Sequence, residues 1–129
     1  MLAVDTNILV RYITRDHAEQ SPKAKRLIDG ENTFVPLTVL LETAWVLRRS
    51  YRFSRGEIVM ALRSFLGLPR VRLEDAVTAR QALDWMAAGM DFADALHLAK
   101  ASDCEAFASF DRRLASAAKR AGAIAVRVP

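Results

Sequence analysis

Short apolar runs alternate along this chain with longer stretches in which apolar residues recur every three or four positions. Leu2, Ala3 and Val4 form the first run, polar Asp5, Thr6 and Asn7 follow, and apolar positions resume at Ile8, Leu9, Val10, Tyr12 and Ile13. This predicts a buried strand, a turn and a helix. Ser21 before Pro22 predicts an N-cap with proline at the first helical position, opening a helix over 23–29 that Gly30 closes. Thr33, Phe34 and Val35 predict a second strand stopped by Pro36, and Thr38 a cap for a helix over 39–50. Ser54, with Glu57 three residues on, forms a capping box for a helix that ends at Leu66 and Gly67.

The second half continues the alternation. Residues 71–73 predict a strand, and Asp75 caps a helix to residue 88 whose Ala76, Ala79, Leu83, Met86 and Met90 share one face, with Gly89 closing it. Asp91 opens a helix to about residue 101; a strand over 106–109, a helix over 111–120 and a last strand over 124–128 complete the chain. Short apolar strands between helices predict an α/β fold with a parallel sheet covered on both faces. In such sheets the functional crevice lies at the carboxyl ends of the strands. With 129 residues and neither repeat nor linker, the chain is expected to be one domain over 1–129.

Composition adds three points. The apolar fraction of 52% and charged fraction of 26% are those of a globular protein. Cys104 is the only cysteine, so no intrachain disulfide forms. No leader is visible, and the apolar stretch over 39–47 is short and interrupted by Glu42, so a cytoplasmic location is expected. The net charge of +4 is a mild pointer to a polyanionic partner.

The acids carry the chemistry. Asp5 and Asp111 each follow a predicted strand, where each suits either the crevice or a helix cap. Glu42 lies in a nearly all-apolar stretch; it is unfavourable to bury there without a cation or donors, and otherwise belongs on a narrow solvent stripe. Asp91 and Asp94 share one face of a helix's first turn. No basic residue lies within two positions of Asp5, Glu42, Asp91 or Asp94. If these acids converge, their mutual repulsion calls for a hard divalent cation, for which oxygen ligands select Mg2+, with Mn2+ as a substitute.

The ordered set resembles the PIN-domain ribonucleases over nearly the whole chain. Asp5-Thr6-Asn7 is similar to the family's opening motif, and Glu42 to its second acid. The segment from Asp91 through Asp94 to His97 resembles the third-acid segment of VapC-type toxins, and Ser109-Phe110-Asp111 the fourth. The resemblance implies a three-layer α/β fold with a short-stranded, mostly parallel central sheet flanked by helices. It implies catalytic acids Asp5, Glu42, Asp94 and Asp111, with Asp5 and Asp94 on the metal and Thr6, Asn7, Asp91 and Ser109 in support. Asp94 takes the third position because Ala95 and Leu96 follow it. The implied activity is cleavage of RNA by metal-activated water, as the toxin of a toxin–antitoxin pair. The implied partners are RNA, a cognate antitoxin and a second copy of the chain.

His97 is read as structural, His17 as a surface residue, and Trp45 and Trp85 as core or interface. Arg48 and Arg49 after the Glu42 helix, and Arg112 and Arg113 after Asp111, are candidate RNA phosphate contacts or a solvated face in equal measure. Three rival readings stand beside the ribonuclease. A phosphotransferase with Asp5 as covalent nucleophile wants a second Asp where Asn7 stands. A nuclease acting on DNA or in RNA processing without a toxin role uses the same scaffold. A catalytically silent RNA-binding module would not need the intact acids.

Overall fold

In a computed structural model that describes residues 1–129, seven helices and five strands follow one another in the predicted alternation. The chain folds as two compact units, Met1–Ala76 and Val77–Pro129. All strand pairings are parallel, as expected of short apolar strands joined through helices.

The first unit contains β1 (Leu2–Ala3), α1 (Thr6–Thr14), α2 (Gln20–Gly30), β2 (Thr33–Val35), α3 (Leu37–Arg49), α4 (Arg55–Leu66) and β3 (Val71–Leu73). Its sheet has the order β1-β2-β3, with Leu2 opposite Thr33 and Thr33 opposite Val71. Leu9, Ile28, Val35, Leu40, Leu47, Ile58, Leu62 and Phe65 are buried and form its core. The ring of Tyr12 meets Phe65 edge-on at 5.4 Å. Burial on both faces holds only for the central strand β2. Leu2 at the sheet edge is 42% exposed and Ala3 is exposed, so β1 is not the buried strand its apolar run predicts; Val4, just beyond it, is buried.

The second unit contains α5, which starts at the boundary (Ala76–Ala87), α6 (Phe92–Lys100), β4 (Ala106–Ala108), α7 (Arg112–Ala121) and β5 (Ala125–Arg127). Here β4 and β5 pair alone, Ala106 opposite Ala125. Of the predicted face of α5, Ala79, Leu83, Met86 and Met90 are buried and Ala76 is half-buried; Phe92, Ala95, Leu98, Leu114 and Ala118 are buried as well. Gly89 follows α5 with φ +118°, a conformation other residues avoid.

Two predicted helix starts move. Ser21 does not cap α2, which begins at Gln20 and places Pro22 inside its first turn. Proline is tolerated there because first-turn N–H groups have no intrahelical partner. The acceptor is instead His17, whose Nδ1 receives the Gln20 N–H at 3.0 Å and the Glu19 N–H at 3.3 Å, so this half-buried histidine is a cap, not a free surface residue. Nor does Thr38 cap α3. That helix begins at Leu37, whose N–H donates to Glu74 Oε1 at 2.9 Å from just beyond β3. The Ser54–Glu57 capping box forms as predicted: Ser54 N donates to Glu57 Oε1 at 2.9 Å and Glu57 N to Ser54 Oγ at 3.1 Å.

The end of α1 is tied down by a polar network. Asp16 accepts from Tyr51 Oη at 2.6 Å, Thr14 Oγ1 at 2.7 Å and Arg11 Nη1 at 3.1 Å, while Arg11 Nε donates to Gln20 Oε1 at 2.9 Å. The Tyr51 hydroxyl, then Thr14 and Arg11, hold the Asp16 carboxyl down to about 2 from an ordinary 3.8.

Two outcomes are expected. Ser54→Ala should lower stability by about 1 kcal/mol through loss of the cap, read by urea denaturation. A carboxylate with a depressed folded value stabilises the fold above its ordinary range and loses that contribution as pH falls through the depressed value. Wild-type protein should therefore lose stability as pH drops from 3.8 toward about 2. In Tyr51→Phe that part of the thermal-stability profile should flatten; an unchanged profile would refute the role given to the hydroxyl.

Candidate functional site

Three of the four predicted acids, Asp5, Glu42 and Asp111, have a carboxylate held by a nearby backbone N–H or hydroxyl. Asp5 follows β1 and Val4 in extended conformation and is the N-cap of α1, its Oδ1 accepting from Thr6 N at 2.7 Å. The next residue, Thr6, is buried and donates its hydroxyl to Glu42 Oε1 on α3. Asp5, Thr6 and Glu42 are thus linked through consecutive hydrogen bonds in the first unit, while Asn7 lies exposed in the first turn of α1. Glu42 itself is exposed. Of the two placements its apolar surroundings left open, the solvent stripe is the one found: α3 turns Leu40, Thr43, Ala44 and Leu47 inward and leaves Glu42 outward, where the Thr6 hydroxyl engages it.

In the second unit Asp91 caps α6, its Oδ2 accepting from Asp94 N at 3.1 Å. Asp94 stands one turn in and is partly buried. Burial pushes its carboxyl up, the negative charges of Asp91 and Asp111 push it further, and His97 counters weakly. Asp111 caps α7, accepting from Arg113 N at 2.9 Å and Leu114 N at 3.1 Å through Oδ1. Ser109 Oγ accepts from Asp111 N at 3.0 Å, which fixes the backbone that carries the acid. The charges of Asp91 and Asp111 thus both act on Asp94.

His97 is exposed on α6 with its ring stacked on Phe107 of β4, centroids 6.5 Å apart. Arg48 and Arg49 lie exposed in the last turn of α3, and Arg112 and Arg113 exposed in the first turn of α7. Trp85 is half-buried, but Trp45 is 60% exposed with the Arg49 guanidinium 5.9 Å from its ring centroid. Of the two places read for Trp45, core or interface, its exposure excludes the core: the stretch around it is apolar on almost every side, so periodicity does not say which side faces out.

The donors suit a hard cation. They are carboxylates without a lysine or arginine ion pair, and the carboxyl of Asp94 is raised first by burial and then by the charges of Asp91 and Asp111, both of which a divalent ion would offset. Neither unit by itself gathers three or more His, Cys, Asp or Glu side chains into a group able to hold a metal. No helix is long and apolar enough to cross a membrane.

Comparison with known proteins gives one finding. The family model of the PIN domain matches residues 2–120, a span that runs from β1 into α7 and includes all four predicted acids. No curated protein matches the chain.

A carboxyl whose folded value is raised stabilises the fold while protonated, and that contribution is lost as pH rises through the raised value. Asp94→Asn should therefore give metal-free protein a higher Tm than wild type at neutral pH, the difference shrinking in acid. A lower Tm at neutral pH would contradict the repulsion assigned to Asp94.

Proposed function

Because the chain belongs to the PIN domain family, whose members are generally metal-dependent nucleases, we propose that it is a magnesium-dependent endoribonuclease acting as the toxin of a toxin–antitoxin pair. Asp5, Glu42, Asp94 and Asp111 are its acid set, and Asp5 and Asp94 are the residues that hold the cation. The observation that carries this reading is Asp94, partly buried and pressed by two further carboxylates with only His97 against them. A fold keeps such an arrangement where a cation is to be bound; for scaffolding alone, an asparagine would do as well without the repulsion.

A bound divalent cation offsets charge on the phosphodiester and lowers the pKa of the attacking water. The chain's own residues prepare for this. Asp5 and Asp111 each use Oδ1 on their own helix N-terminus, which fixes the carboxylate while leaving Oδ2 for a ligand. The Thr6 hydroxyl orients Glu42, and Ser109 steadies Asp111. Asp94 has to be ionised to serve, so its raised value predicts activity that grows with pH through that ionisation. Arg48, Arg49, Arg112 and Arg113 supply cations for RNA phosphates.

The toxin reading adds partners. Four carboxylates without lysine or arginine pairs are a natural receptor for a guanidinium, which forms charge-assisted, bidentate hydrogen bonds. An antitoxin that inserts an arginine there excludes the metal and silences the enzyme, and the active form is a homodimer.

Asp5→Asn and Asp94→Asn should remain folded and lose RNA cleavage by about a hundredfold or more in magnesium. Either variant cleaving at the wild-type rate would overturn its assignment, and retained RNA binding without any wild-type cleavage would favour a silent binding module. For the toxin role, expression alone should arrest growth, and co-expression with the protein encoded immediately upstream should abolish both arrest and nuclease activity in a stable complex. Harmless expression with no binding neighbour would end the toxin reading.

A further inference from the structure

One stripe of α3 is open to solvent. Thr38, Glu42, Trp45 and Arg49 succeed one another at spacings of four, three and four, and all are exposed. At 60% exposure, Trp45 leaves most of a large apolar ring in water, and Arg49 approaches one side of it at 5.9 Å. The remaining exposed residues of α3 are Thr38, Glu42, Arg48 and Arg49, every one polar or charged. The indole is thus the one exposed apolar side chain of α3, with Glu42 three positions before it, Arg48 and Arg49 three and four positions after it, and only half-buried Leu41 as an apolar residue one turn away on that side. Interfaces between protein copies also favour tryptophan and arginine, but around an apolar centre, and the other exposed residues of α3 supply none. An aromatic face interleaved with guanidiniums is how single-stranded nucleic acid is met, the ring taking a base and the cations taking phosphates. Trp45 also lies only three residues beyond Glu42, about 4.5 Å along the helix axis at about 1.5 Å per residue.

We infer that Trp45 is a substrate-positioning residue: a base of single-stranded RNA stacks on its indole, Arg49 braces the ring and meets a phosphate, and the strand is thereby registered against Glu42. This rests on the nuclease reading above. The stack is sequence-tolerant, because every base presents a π face, so it would set the placement of the strand more than the choice of base.

The test separates the two. With Trp85→Phe making Trp45 the sole tryptophan, and Asp94→Asn preventing cleavage, titration with a short unstructured oligouridylate should quench the indole fluorescence. In otherwise wild-type protein Trp45→Ala should raise KM for that RNA by about tenfold with kcat little changed, while Trp45→Phe keeps most of the affinity. If wild type cleaves and Trp45→Ala shows the same KM, the stacking role fails and the nuclease reading stands. If wild type neither binds nor cleaves RNA, both fall. If Trp45→Ala instead converts a dimer to a monomer in sedimentation, with KM unchanged, the occupant of this stripe is a second copy of the chain and the inference is overturned.

Discussion

A helix begins with backbone N–H groups that no residue of the helix can satisfy, and in this protein acids answer that demand. Asp5, Asp91 and Asp111 each accept from the first turn of the helix they precede. The positive end of the helix dipole favours their charge. The same bonds hold the carboxylates still. In the proposed site capping and chemistry are therefore one arrangement, since an acid immobilised through one oxygen presents the other in a fixed direction. Asp94 is the exception that gives the arrangement its tension. It is not a cap, so no first-turn amide offsets the charge of its neighbours.

The arginines divide along the same physics. Arg48 and Arg49 sit in the last turn of α3, where the helix dipole welcomes a cation, so local stability already accounts for them. Arg112 and Arg113 sit in the first turn of α7, the unfavourable end, with Asp111 as the offsetting charge. Both pairs are exposed, so the dipole sets what each costs the fold and leaves their charge open to an outside anion.

Much of this was legible from the chain alone. The capping box at Ser54, the caps at Asp91 and Asp111, and the extent of β2 and β3 follow from local residue chemistry and are as expected. Starts that depend on a distant partner were not. Glu74 displaces Thr38 at α3 because an acceptor brought in by β3 reaches Leu37, and nothing near Thr38 announces it. His17 displaces Ser21 through a side chain usually weighed as a titrating group rather than as a cap. For the acids, order and type were legible while environment was not: the sequence left Glu42 between a desolvated site and a solvent stripe, and it is exposed and tethered by Thr6. The division of the parallel strands into a three-stranded and a two-stranded sheet also carries no local signature, because strands this short hold too few residues to encode their neighbours.

That division shapes how the chain finds its fold. Pairing β4 with β5 closes a shorter loop than pairing β1 with β2 or β2 with β3, and the helix that must form meanwhile is α7 alone. Loop-closure entropy grows only slowly with length, about 0.6 kcal/mol per doubling, so the difference hardly touches equilibrium stability. Its effect is on sequence of events. The β4–α7–β5 segment has the cheapest nucleus among the three ladders, whereas the Met1–Ala76 sheet has to wait for two long closures that β2 makes on both of its edges. In chain order the two long closures of Met1–Ala76 come before the short β4–β5 one, so translation delivers the strands of the longer closures first.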